Sequence, residues 1–522
     1  MFWALWLRLI EIDEPWIGHH DFNGTWISLA ASNYLKYGFL ETGFGSTTNS
    51  GFVQDGNYSY YLHHPPLICW LVSIPFMAYG ISEDSARIVS IFLSIGSIFM
   101  LFKICSSLFN YNVALISALI QTLLPMDAFF GRFVNHEPLI LFISLVTIYL
   151  YLKWIKDKNY FLLLILSTLI GCLSGWSFYY MPALLFLHYQ LIEKKSWRLT
   201  IIFILPIICI FCFLAFLLYI HILSGSIHGG DYGSIFEAFK VRISSKTIIE
   251  FTLGKFLLTE FNRILKLFTP VITFLALFYI LTFITYPKLR IENHGVFLLM
   301  LMLFGIAHPL IFKQQAYVHD YLLFNLSPFM SISASVIIME FSKILKEQFR
   351  IPVILIPILF FITYLNFSRQ EILKLHEIRN LEEEYIVGLY IHNHTEPDDL
   401  IMTSFDKGSE ELQLKYYSQR SIFSGVTSKF QMEKLIKERK GYFRFFIDSR
   451  NTDKSEILTK YLNDNYKRKF LSHYILYDFK KLANTNFANE EIGLKADNNT
   501  FESLINTDDR VNPTILPNFE KP

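Results

Sequence analysis

The sequence carries almost no surplus of either charge. Its 46 Lys and Arg stand against 45 Asp and Glu, and charged residues make up 17% of the 522 positions. That balance gives no support for a nucleic-acid partner, which is held by a basic surplus. Cysteine is scarce: Cys69, Cys105, Cys172, Cys209 and Cys212 all fall in apolar stretches. They show neither zinc-ligand spacing nor a disulfide framework and read as small buried hydrophobes. There is no Gly-rich phosphate loop and no strand–Gly–helix nucleotide unit, which argues against an ATP-driven pump. No repeat of fixed period is visible. A cleavable signal peptide is also missing. Met1 to Ile10 is apolar but shorter than the ~20 residues that cross a bilayer, and we expect it to be a first helix cut short.

What is abundant is apolar surface: 52% of residues are hydrophobic and 51 are Phe. Runs of membrane-spanning length recur through the first 367 positions, and counting them with the shortened first helix gives about eleven spans. The fold class expected is an all-α polytopic membrane domain over 1–367, followed by a small α/β domain over 368–483 and a disordered polar tail over 484–522. In the second unit Asp399–Ser404, Tyr442–Asp448 and His473–Phe479 read as strands between helical segments, the alternation of a layered α/β domain.

Lys153, Lys156 and Lys158, Lys194, Lys195 and Arg198, Lys288 and Arg290, and Lys343, Lys346 and Arg350 cluster in loops on one side of the span count. Positive-inside places those loops in the cytoplasm. The loops around Asp21, Arg132–Glu137, Ser224–Asn262 and Gln314–Tyr321 then share the opposite face, where the α/β unit also falls. The Ser224–Asn262 and Gln314–Tyr321 loops carry some Lys and Arg of their own, against the rule.

Those outer loops hold the residues capable of chemistry. His19-His20-Asp21 opens the first loop and His63-His64-Pro65-Pro66-Leu67 closes it. Asp21 can act as a general base or hold a divalent cation, or it can simply cap the helix that follows. Next come Arg132, Asn135, His136 and Glu137, with Glu137 at the mouth of a span. Arg132 can pair with Glu137 or bind a phosphate, and Glu137 can instead favour the helix dipole. His319-Asp320-Tyr321 begins a later span on the same face, where a solvated loop is the plain alternative.

Taken in order, these elements resemble the GT-C superfamily of integral-membrane glycosyltransferases, nearest to its protein O-mannosyltransferase and aminoarabinose-transferase branch. Asp21 resembles the acid of the first external loop, and His64-Pro65-Pro66-Leu67 resembles the branch's His-Pro-Pro-Leu element. Arg132 and Glu137 resemble the Arg and second acid of the next loop. His319-Asp320-Tyr321 with Pro328 resembles the late His/Tyr element. The resemblance covers roughly Met1 to Phe367.

It implies a hexosyl- or pentosyltransferase that takes a sugar from a polyprenyl-phosphate donor and passes it, with inversion, to a lipid, glycan or protein acceptor. Asp21 and Glu137 would be catalytic, with Asp21 as the base. His64, Arg132, His319 and Tyr321 would hold the donor phosphate, and His19, His20, His63, Asn135, His136 and Asp320 would line the site. No cofactor is fixed, and a divalent cation on Asp21 and Glu137 is one implied alternative. The expected setting is a bacterial or archaeal cell membrane with the catalytic face outward. Two departures stand out: Phe22 follows Asp21 where an acidic pair is usual in mannosyltransferases, and Glu replaces Asp at 137. The rival readings are a transporter or flippase of lipid-linked saccharide, which would bury charges mid-span, and an O-antigen ligase or polymerase sharing the lipid donor.

Overall fold

A computed structural model describes residues 2–51, 53, 58–193, 201–225, 235–285, 293–350, 352, 355–439, 442–449, 455–471, 473–482 and 491–492. The loops holding Lys194, Lys195, Arg198, Lys288 and Arg290, and all of the tail except 491–492, lie outside the described residues.

The membrane unit is helical, as expected, but the number of spans is smaller. Among the described residues four helices are long and apolar enough to cross a bilayer: Glu83–Leu108, His136–Lys156, Ile204–Ser224 and Asp320–Phe349. A fifth is reached only if Leu253–Leu267 and Pro270–Thr285, bent by 116°, are taken together. The expectation of about eleven counted apolar length straight through helix breaks. Tyr111–Leu123, one of the stretches counted, is 13 residues long, roughly 20 Å of helix against a hydrocarbon core of ~30 Å; Leu67–Tyr79, expected to be too short to span, is also 13 residues. The Tyr111 helix stops where Pro125 starts a new six-residue helix, Pro125–Phe130. At the 116° bend Thr269, the residue before Pro270, has φ 65°, which takes it out of the right-handed helical region.

The helices bury one face and leave the other apolar and open. Leu145, Ile148, Phe304 and Phe329 belong to the main core, while Phe92, Ile210, Phe211 and Leu218 point outward. An open apolar band of this kind suits hydrocarbon rather than water. A second core joins the first loop to the C-terminal unit: Trp16, Trp26 and Ile68 pack with Leu412, Tyr416 and Tyr417.

The C-terminal unit is the expected α/β layer, with strands β1 (Leu400–Thr403), β2 (Ser421–Phe423), β3 (Phe443–Ser449), β4 (Tyr466–Leu471), β5 (Tyr474–Leu482) and β6 (Glu491–Ile492) in the order β2-β1-β3-β5-β4-β6. β1 runs parallel to β2 and β3, and β5 is antiparallel to β3 and β4. Side chains alternate between faces. Ile401, Phe445 and Ile447 meet Val387, Ile391 and Leu414 on one face, and Met402 and Phe446 meet Met432, Leu458 and Leu462 on the other. Helix Leu355–His376 runs through position 367 into this unit. β6, which pairs with β4, lies within the stretch expected to be wholly disordered.

The C-terminal unit grips the first loop. The Tyr417 hydroxyl accepts from the Trp16 amide at 2.7 Å and donates to Glu83 at 2.7 Å, and Gln413 donates to the Trp16 carbonyl at 2.7 Å. The Asn380 amide donates to Ile17 at 2.6 Å. Those bonds hold the chain immediately before His19-His20-Asp21.

Candidate active site

Residues from several of the loops singled out in the sequence converge on a cavity of about 450 Å³. His63, His64, Asn135, His136, Glu137, His319 and Tyr321 line it. So do Phe22, Asn23, Trp26 and Tyr61 from the first loop, and Arg242 from the Ile235–Ile243 helix. Asp21, Arg132, His19, His20 and Asp320 are not among the lining side chains.

Glu137 sits in the first turn of the His136–Lys156 helix, where Pro138 at an early position suits the free amides of a helix start. Its Oε2 is buried without a hydrogen-bond partner among the described residues. His136 Nδ1 is 2.9 Å from the Ser174 carbonyl. A carbonyl only accepts, so Nδ1 carries a proton, and Nε2 is left without a partner among the described residues. His64 stacks on His136 with centroids 4.7 Å apart, and Trp26 and Tyr61 extend this aromatic wall at 4.6 Å from one another. Burial, and then His136 beside it, holds the His64 imidazole well below its ordinary titration range. His64 therefore stands neutral at pH 7, with one N–H to donate.

On the opposite wall His319 stacks on Tyr321 at 5.1 Å. Its imidazole is pushed down to about 3 by burial and by His20. Asn23 lines the cavity with Tyr321 and donates its side-chain amide to the His20 carbonyl at 3.2 Å. The loop before His319 is fixed by Arg263, which donates to the carbonyls of Ala316 and Tyr317 and pairs with Glu260 at 2.7 Å.

Asp21 faces elsewhere. Its Oδ2 is 3.1 Å from Arg87 Nη2 and accepts from the Gly18 amide at 3.1 Å. It makes no side-chain capping bond to the Phe22–Tyr37 helix, so the capping alternative does not hold. Arg132 does not pair with Glu137. Its guanidinium donates to the carbonyls of Ile10 and Glu11 and lies 3.8 Å from Glu14. Backbone carbonyls left over from the N-terminal turns take up its donors. His19 and His20 both reach Asp320, at 3.0 and 3.2 Å.

Sequence reasoning missed Arg242, Arg87, Trp26 and Tyr61. Two signals were available. Arg242 is one of the basic residues of an outer loop that broke the positive-inside pattern, and Arg87 is a charge set just inside an apolar span, which a buried partner has to balance. Arg242 lines the cavity together with Tyr61 and is half-buried. Its charge helps depress the imidazoles of His64 and His319. Nothing in the local sequence marked Trp26 or Tyr61 apart from the many other aromatics.

The fold has known counterparts. ArnT from Cupriavidus metallidurans, solved bound to undecaprenyl phosphate, superposes with a TM-score of 0.60 at 12% identity, covering 91% of this chain and 96% of that one. The archaeal oligosaccharyltransferase AglB from Archaeoglobus fulgidus, solved with an inhibitory peptide and a dolichol-phosphate, gives a TM-score of 0.56 at 11% identity, covering 91% and 73%. At these identities the likeness shows a shared fold. In sequence, residues 63–219 match the dolichyl-phosphate-mannose-protein mannosyltransferase family model. The Bacillus subtilis protein "Putative mannosyltransferase YycA" is 27% identical over 143 residues, 27% of this chain and 20% of that protein. An uncharacterized protein of Aquifex aeolicus is 30% identical over 128 residues, 24% of this chain and 31% of that protein. The matched segment thus spans less than a third of either relative.

Proposed function

We propose that this protein is a glycosyltransferase that moves a sugar from a polyprenyl-phosphate donor to a hydroxyl-bearing acceptor within the Glu137–Arg242 cavity. The observation that carries the reading is the composition of that cavity. It places a carboxylate whose Oε2 has no partner among the described residues (Glu137), a guanidinium (Arg242), neutral imidazoles (His64, His319) and an aromatic wall (Trp26, Tyr61) around one space. Donor transfer needs each of them. The acceptor oxygen attacks the anomeric carbon as the bond from that carbon to the phosphate oxygen breaks, and the electron pair leaves with the polyprenyl phosphate. Arg242 and the imidazole N–H groups meet the charge that grows there. The hydroxyl proton passes to Glu137, and a sugar face packs on Trp26. Attack opposite the leaving phosphate inverts the anomeric centre.

A second assignment of the base has an observation of its own. Asp21 directly precedes Phe22 and Asn23, both in the cavity wall, and its Oδ2 lies 3.1 Å from Arg87 Nη2. In that reading Asp21 takes the proton and Glu137 orients the acceptor.

The fold relationship to ArnT and AglB, each solved with a polyprenyl-type phosphate, supports the lipid-linked donor, and an outward catalytic face follows from positive-inside. A transporter is disfavoured because the site charges sit at span ends. The test is purified protein in detergent given a panel of labelled polyprenyl-phosphate sugars and acceptor lipids. Acceptor-dependent release of polyprenyl phosphate is expected. Donor movement across a vesicle bilayer with no sugar released would favour the flippase instead.

A further inference from the structure

Behind the His319–Tyr321 wall lies a cluster that the reaction above does not use. We propose that His19, His20 and Asp320 form a binding site for one divalent transition-metal ion, zinc being the species it fits best.

The three donor atoms lie within 4.8 Å of one another, and this is the only group of its kind among the described residues. His19 Nε2 is 3.0 Å from Asp320 Oδ2, and His20 Nε2 is 3.2 Å from Asp320 Oδ1. The first contact has hydrogen-bond geometry. The second does not: His20 Nε2 and Asp320 Oδ1 are both buried and both lack a hydrogen-bond partner. Two buried polar atoms that lack a well-aligned hydrogen bond are costly as they stand. A cation between them would satisfy both.

The backbone is bent to make the cluster. Successive side chains of an extended segment point to opposite sides, yet the His19 and His20 rings lie on one side with centroids 4.0 Å apart. The turn is made by φ 62° at His20, a left-handed conformation that is unfavourable for a non-glycine residue. Asp21, tied to the Gly18 amide and Arg87, closes this turn.

Donor type selects the ion. Two imidazole nitrogens and one carboxylate suit zinc or another first-row ion, whereas magnesium and calcium prefer all-oxygen sets. Three protein ligands leave a fourth position open. The His20 ring is 5.1 Å from both His319 and Tyr321, so an ion here would sit one ring away from the proposed phosphate wall. Asp21 and Glu137, the pair implied by the resemblance, fall in no such cluster among the described residues.

The test reads metal directly and does not depend on sugar transfer. Full-length protein in detergent is stripped with a chelator, then titrated with zinc, and bound metal is counted by mass spectrometry. About one zinc per chain is expected, with affinity at least ~10-fold lower in His19→Gln, His20→Gln and Asp320→Asn and unchanged by millimolar magnesium. Cobalt substitution in the wild type should give ligand-field absorption of a mixed nitrogen–oxygen site, a readout that survives if the variants misfold. No stoichiometric zinc in the wild type, displacement by magnesium, or equal affinity in all three folded variants would overturn the site. Each of these results leaves the glycosyltransferase reading standing, and failed turnover with intact zinc binding would count against that reading alone.

Discussion

Exchanging Glu137 for Gln separates the two carboxylates. Glutamine keeps the shape of the side chain and removes its basicity. If Glu137 accepts the hydroxyl proton, turnover should fall by ~10²–10⁴-fold, a barrier increase of about 3–5 kcal/mol, with donor binding unchanged. Stability should not suffer, because Glu137 Oε2 has no partner among the described residues to lose and a buried unpaired carboxylate is itself unfavourable. Asp21→Asn should behave in the opposite way. It leaves the Arg87 side chain, 1% exposed, without its counter-charge at 3.1 Å. Breaking a buried pair costs about 3–5 kcal/mol, and Asn retains an acceptor for the Gly18 amide, so the lower end is expected. The assay is turnover of a labelled polyprenyl-phosphate sugar beside thermal melting in the same detergent. Near-wild-type turnover in folded Glu137→Gln would refute the assignment. If Asp21→Asn then lost activity at least ~100-fold without melting early, the base would be Asp21.

Other outcomes follow from single contacts. Arg242→Ala should raise KM for the donor at least ~10-fold, the scale of a lost charge-assisted bond to phosphate, while Arg132→Ala should lower the melting temperature more than it changes KM, since Arg132 serves the carbonyls of Ile10 and Glu11. Gly24→Ala would drive a Cβ into the Trp16 ring, and a drop of about 1–3 kcal/mol in stability is expected from such overpacking. His64 is held well below its ordinary pKa by burial. Below pH ~6.5 the unfolded chain therefore binds a proton that the folded chain refuses, so stability is full above that pH and declines as pH falls. Melting curves of wild type and His64→Gln between pH 7.5 and 5 check this, the variant showing the shallower slope.

The meeting of His64, Glu137 and His319 at one cavity was legible from the loop charges and the order of the apolar runs. Six of the C-terminal elements were readable from strand–helix alternation. What was hidden has a common cause, which is that the deciding partner lies far along the chain. Asp21 reads as a base or a cap until Arg87, 66 residues away, is seen beside it. Arg132 reads as a phosphate ligand until the Ile10 and Glu11 carbonyls take it up, and β4, Tyr-Lys-Arg-Lys-Phe-Leu, is too charged to show a strand pattern. Span number failed for a local reason: a Pro125 or a Thr269–Pro270 break barely alters hydrophobicity but ends a helix.

The central claim is that lipid phosphate and acceptor meet between Glu137 and Arg242. A structure of the full chain with a bound non-transferable polyprenyl-phosphate sugar tests it most directly. The account predicts the phosphate within hydrogen-bond distance of Arg242 and of His64 or His319, with the anomeric carbon turned toward Glu137. A phosphate held instead at Arg132, or a lipid bound with the cavity empty, would contradict it.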